Sequence, residues 1–350
     1  MRPSQQRRSA LRWKWGSQLL HLWLCCGLAC LAWAQEAKRS FADDEEAQTR
    51  FQRGVSLYQQ TQYAAALEAL EPVAVQYPDQ AAAYRLIGLC RLQLKDYVGA
   101  AAALRKAVEL IRAQENREDV AARLALGKAL FLAGDFQGAA AELAFAAARP
   151  DAEAATWTLL GYAHYRLGDE AAARQALLQA VARDDRQMEA WRLLAELDVA
   201  SATATPGDAA AVKRALAGIE KVQRLAPTVA AGLRGRLLVA QRQFAKAIPE
   251  LDRALAQQPD EPALVFALGL ALSREQQLDR ATTVLAKATA LLPNEAGVWR
   301  ELGYVHERAG RRHDAVAAYE KAAALSGLDD FLRRALERLK APSDGLKDKP

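Results

Sequence analysis

Past residue 47 the apolar positions fall at helical spacing and keep returning in pairs of short runs. The clearest copy, WRELGYVHERAGRRHDAVAAYEKAAALSG, begins at Trp299. Here an apolar residue is followed three and four places on by Leu and Gly, which predicts one face of a first helix. Ala, a large apolar residue and Ala at spacings of four and three then predict the buried face of a second. Aligned on the Gly, the copies give Gly54, Gly88, Gly127, Gly161, Gly235, Gly269 and Gly303, with Ala195 standing in once. A small residue follows each Gly in the second run (Ala66, Ala100, Ala139, Ala173, Ala247, Ala281 and Ala315), and then Val73, Ala107, Ala146, Ala180, Ala254, Ala288 and Ala322. Between these small residues sit Leu70, Leu104, Leu143, Leu177, Leu251, Leu285 and Tyr319, predicted to fill the groove between neighbouring helices. Units start near 47, 81, 120, 154, 188, 228, 262 and 296. Pro78-Asp79, Pro150-Asp151, Pro259-Asp260 and Pro293-Asn294 read as helix stops followed by helix caps.

This phrase resembles the tetratricopeptide repeat, whose signature is a Trp-x2-Leu-Gly-x2-Tyr opening, an Ala-x3-Phe middle and a terminal Pro. The resemblance covers residues 47–327. It implies an all-α, right-handed superhelical solenoid of about eight helix-turn-helix repeats. A C-terminal capping helix is predicted over 328–340, apolar on one side and basic on the other, with a disordered tail over 341–350. The period is broken twice: residues 111–119 add length to a helix and turn, and residues 201–208 swell the inner turn of the fifth unit.

Residues 1–34 have the three parts of a secretory signal: five basic residues and no acid among the first fourteen, an apolar stretch from Leu19 to Leu31, and Ala32-Trp33-Ala34 before Gln35. Cleavage is expected after Ala34, with 35–46 leading into the first helix and the mature protein exported to the periplasm or envelope. An uncleaved anchor and a lipoprotein cut before Cys30 are the alternatives, and membrane contact follows only if the segment is kept. The net charge of +5 changes meaning accordingly. Without residues 1–34, 42 of the 47 basic side chains remain against 42 acidic ones, so the basic pI is no argument for nucleic acid.

Candidate chemistry is sparse. Cys90 is the single cysteine beyond the signal and reads as a small buried hydrophobe. His164 and His306 share one repeat position and read as packing residues, while His313 reads as solvated surface. Acid pairs such as Asp184-Asp185 and Asp329-Asp330 are assigned to helix starts. No phosphate loop, paired-cysteine spacing or nucleophile elbow is visible, so neither enzyme activity nor a cofactor or metal is expected.

The resemblance nominates a partner-binding groove along the first helices: Tyr58, Arg85, Lys128, Phe131, Tyr162, Tyr165, Arg166, Arg192, Arg236, Phe266, Arg274, Arg300, Tyr304 and Arg308. Aromatic rings mixed with arginines suit a peptide or helix of another protein. Some family members clamp terminal carboxylates with Lys and Asn. Here the inner positions are Val55, Leu89, Lys128, Tyr162, Glu196, Arg236, Leu270 and Tyr304, without Asn, which argues against that version. The expectation is a scaffold for assembling a bacterial cell-envelope complex. The rings of Tyr58, Phe131, Tyr162, Tyr165 and Tyr304 leave glycan or cell-wall binding as the alternative.

Overall fold

The computed structural model describes residues 40–115, 118–205 and 207–341. Among them every regular element is an α-helix, apart from one 3-10 turn at Phe41–Asp43. The predicted signal segment (1–34), Pro206 and the predicted tail from 342 onward lie outside the described residues. The helices divide into two compact units, the first reaching Ala146 and the second starting at Ala147.

The first unit holds three helix pairs: α1 (Glu45–Gln59) with α2 (Tyr63–Gln76), α3 (Ala81–Gln93) with α4 (Tyr97–Glu115), and α5 (Val120–Ala133) with α6 (Phe136–Ala147). Asp44 organises the entry. Its carboxylate accepts from the Ala47 N–H at 3.0 Å, capping α1, and also from the Tyr77 hydroxyl at 2.6 Å, tying α1 to the end of α2. The Tyr77 bond, with the cap behind it, holds the Asp44 carboxyl below its ordinary range. First helices touch each other as well as their partners, α1 against α3 and α3 against α5.

The second unit repeats the arrangement with α7 (Ala154–Arg166) and α8 (Glu170–Arg183), α9 (Met188–Ala204) and α10 (Ala209–Leu225), α11 (Pro227–Ala240) and α12 (Phe244–Leu255), α13 (Pro262–Arg274) and α14 (Leu278–Leu291), and α15 (Ala296–Arg308) and α16 (Arg312–Ser326). Its first helices, α7, α9, α11, α13 and α15, touch in succession and form one wall, with the second helices nested behind. The capping helix α17 (Asp330–Lys340) lays Leu332 and Ala335 over Tyr319 and Ala322.

Close approach explains the anchors. A methyl added to Gly161 would lie 2.6 Å from Leu177 Cγ, and one added to Gly303 would lie 2.6 Å from the Tyr319 ring. Leu70, Leu104, Leu143, Leu177, Leu251, Leu285 and Tyr319 are all fully buried against these glycines. The fifth pair exchanges the roles. Ala195 carries the methyl on the first helix, and Gly218 on α10 makes room for it, with 3.1 Å left for a further carbon.

Three expectations from the sequence need correction. Residues 201–204 do not swell a turn; they continue α9 to Ala204, because no helix breaker intervenes before Pro206-Gly207 and Ala202 is buried. Asp208 then caps α10 through the N–H groups of Ala210 and Ala211. The Pro-Asp and Pro-Asn pairs stop helices but do not cap the next ones. The cap positions are Gln80, Glu153, Glu261 and Glu295, none with a side-chain cap bond. Likewise Asp184 and Asp185 lie in the turn before α9, where Asp184 bonds the Arg186 N–H at 2.9 Å and Asp185 pairs with Lys221 at 2.9 Å. Asp329 is a true cap, bonding the Leu332 N–H at 2.7 Å.

Candidate partner-binding wall

In the first unit the nominated residues are mostly occupied by their own neighbours. The Tyr58 ring lies 5.7 Å from that of Tyr63, and Phe131 sits edge-on to Phe136 at 5.5 Å. Burial raises the Tyr58 hydroxyl above its ordinary value. Arg85 pairs at 3.3 Å with Asp119, which is itself the cap of α5. Lys128 is exposed and makes no hydrogen bond or ion pair among the described residues.

In the second unit a polar network links α7 to α9. Arg192 Nε donates to Glu189 at 2.9 Å and Nη1 to Glu196 at 2.6 Å, while Nη2 reaches the Tyr162 hydroxyl. That hydroxyl donates to Glu189 at 2.9 Å. Burial pushes the Tyr162 pKa up, against the pull of Arg192. Burial acts to lower the Arg192 pKa, but Glu196, Tyr162 and Glu189 outweigh it and the guanidinium is held charged. Arg274 donates to Ser273 and Glu301 and lies over the Tyr304 ring at 5.3 Å. Arg300 approaches Asp329 at 3.6 Å and covers Phe331, and Arg308 donates to Gln276 at 2.9 Å. Tyr165 and Arg166 are exposed at the end of α7.

Arg236 differs from these arginines. It sits half-buried on α11 and makes no hydrogen bond, ion pair or ring contact among the described residues. Two clefts meet at it. One, of about 510 Å³, has Glu189, Arg192, Glu196, Gln258 and Glu261 around a floor of Val229, Leu233 and Leu264. The other, of about 430 Å³, is lined mainly by Ala200, Ala204, Val239, Ala240, Phe266 and Leu270. Arg236 and Ala263 belong to both. The nominated Arg192, Arg236 and Phe266 therefore come together on this wall. Glu189, Gln258 and Glu261 were not nominated from the sequence, since they lie at or just before helix starts, a turn away from the inner face used to align the repeats.

Cys90 is fully buried, and burial pushes its thiol up to about 11, so it behaves as core. His306 is enclosed, its Nδ1 lacking a hydrogen bond and 3.9 Å from Asp314. His313 is fully exposed. Among the described residues no group of three or more His, Cys, Asp or Glu is placed to hold a metal ion. No described helix is long and apolar enough to cross a membrane; the stretch from 16 to 34 is not among them.

Models of the tetratricopeptide repeat match residues 51–114, 154–186, 233–296 and 266–330. A search of the curated proteins returned no match. Among solved structures, a chain of the APC/C hetero-tetramer Cut9-Hcn1 is similar at TM-score 0.57 and 14% identity, covering 82% of this chain and 54% of that one. This chain thus spans about half the length of that relative. A tetratricopeptide repeat protein from Parabacteroides merdae is similar at TM-score 0.54 and 13% identity, covering 74% of this chain and 98% of that one. At such identities the likeness is one of fold. With the repeat models matching more than half of its residues and the helix pairs built on the same Gly and Ala anchors, the chain belongs to the tetratricopeptide repeat family.

Proposed function

We propose that this protein is a non-enzymatic scaffold that binds a segment of another protein along its wall of first helices, and that it works outside the cytoplasm in assembling a bacterial cell-envelope complex. The observation that carries the binding reading is the pair of clefts on α9, α11 and α13, meeting at an arginine with no partner among the described residues. Elsewhere on the first helices most of the nominated charges and rings are consumed by contacts within the chain, Lys128 and Tyr165 excepted, which leaves this region the best placed to recruit from outside. The export part rests on residues 1–34 alone. Glycan binding is not carried further: of the five rings, Tyr58, Phe131, Tyr162 and Tyr304 already have neighbours over face or edge, and the exposed Tyr165 is left as a single platform for a sugar.

The test is affinity purification of the full-length protein from its native envelope fraction, beside a variant carrying Lys128→Glu and Arg236→Glu. These two cations have no ion pair to lose among the described residues. A partner recovered with the wild type and lost with the variant is the expected result; equal recovery, or nothing above background, would sink the reading. Mass spectrometry of the fractionated protein is expected to find a chain beginning at Gln35, and an intact first segment would overturn cleavage.

A further inference from the structure

The polar cleft holds carboxylates from Glu189, Glu196 and Glu261, yet Arg236, in the same lining, is within ion-pair distance of none of them. Glu189 and Glu196 are instead spent on Arg192. A half-buried guanidinium without a partner forgoes the charge-assisted bonds that its geometry favours. On its other side begins the apolar cleft of Val239, Phe266 and Leu270. The wall therefore presents, in order, a polar cleft rich in acid, a free cation, and an apolar slot.

We propose that the occupant is an internal segment of a partner protein in which an Asp or Glu side chain stands next to a large apolar one. The carboxylate pairs with Arg236 and the apolar neighbour enters the slot at Phe266 and Leu270. This rests on the reading of the wall as a protein-binding surface and names the chemistry it selects. An internal carboxylate fits better than a chain terminus because clefts continue on both sides of Arg236: a segment that ended there would leave one cleft empty. The acid-lined cleft repels further negative charge, so the partner's residues on that side are neutral or basic.

The experiment is selection of random twelve-residue peptides displayed on phage, using the full chain as bait. Fluorescence anisotropy of the selected peptides as free acids and C-terminal amides follows. The expected peptides share an Asp or Glu beside Leu, Ile or Phe. They bind at least tenfold more weakly to Arg236→Gln and to Ala263→Trp, which obstructs both clefts without changing charge. Arg236→Lys retains most of the binding, and amidation changes it less than twofold. Circular dichroism of each variant guards against loss of fold. Three outcomes overturn the inference while sparing the wall: selected peptides that lack the acid–apolar pair, peptides lost on amidation, or peptides weakened by Lys128→Glu but indifferent to Arg236→Gln and Ala263→Trp. If no peptide is selected, or none responds to any of these variants, the inference and the wall reading fall together.

Discussion

At Gly161 and Gly297 the same substitution has opposite consequences, although both residues are helical and Ala is the better helix former by about 1 kcal/mol. A methyl at Gly161 meets Leu177 Cγ at 2.6 Å, whereas one at Gly297 meets only the Glu295 carboxylate at 3.9 Å. Gly161→Ala is expected to destabilise by about 1–3 kcal/mol through overpacking, and Gly297→Ala to stabilise by about 0.5 kcal/mol. Urea unfolding of the two variants checks the pair. The anchor glycines were legible because their period exposes them; Gly297 lies off the period, and only its open surroundings show that a side chain is allowed there. His306 supplies a second prediction. Burial lowers its pKa, Asp314 opposes, and Arg311 adds to the lowering. A histidine held neutral in the fold binds fewer protons than it does in the unfolded chain, whose value is about 6.5. Its contribution is therefore present above about pH 6.5 and lost as pH falls through that value toward the lower folded one. The wild-type urea midpoint is expected to drop more between pH 7.5 and 5.5 than that of His306→Leu; equal drops would exclude His306 as the sensor.

Among elements, the turn from first to second helix has a constant demand that sequence shows unevenly. One residue in each of these turns has positive φ: Thr61, Lys95, Gly134, Gly168, Gly207, Arg242, Gln276 and Gly310. Where glycine stands, the turn reads directly from the sequence; Thr61 and Lys95 give no such signal. Their left-handed conformation, at φ 61° and 65°, strains a side chain bearing a Cβ. Thr61→Gly and Lys95→Gly are expected to raise stability by about 0.5–1 kcal/mol each in thermal or urea unfolding, the relief exceeding the added entropy of the unfolded chain. A loss would mean that the side chains contribute more than their strain costs. Helix starts were equally uneven. Asp119 and Asp208, at the ends of the two breaks in the period, cap the helices that follow, whereas Pro-Asp punctuation misleads because the turn spends one or two further residues before the helix begins.

For the molecule as a whole, the last repeat depends on α17. The apolar side of this helix covers Tyr319 and Ala322, Arg338 pairs with Glu307, and Lys340 pairs with Glu320. Deleting residues 329–350 uncovers that face. In a repeat array each unit leans on its neighbours, so hydrogen exchange is expected to lose protection first in α15 and α16, accompanied by dye binding to the exposed apolar surface. Unchanged protection in both helices would show that the eighth repeat is self-sufficient. Tyr319 makes this end sensitive: burial raises its pKa, and its hydroxyl donates to Glu307, the same carboxylate that holds Arg338.

The amino-acid sequence by itself determined the repeated helix pair and its anchors, because the contact that defines the pair joins residues a fixed short distance apart, as Gly161 and Leu177 are. It also nominated Arg236, but only as one arginine among several. Which of these arginines stays unpaired was decided by tertiary structure. Arg192 finds Glu189 and Glu196 on its own helix, but the other partners come from a neighbouring repeat or the cap: Arg85 with Asp119, Arg274 with Glu301, Arg308 with Gln276 and Arg300 with Asp329. Pairing across that range depends on how neighbouring helices are set against one another, and a periodic pattern along one chain carries no record of it.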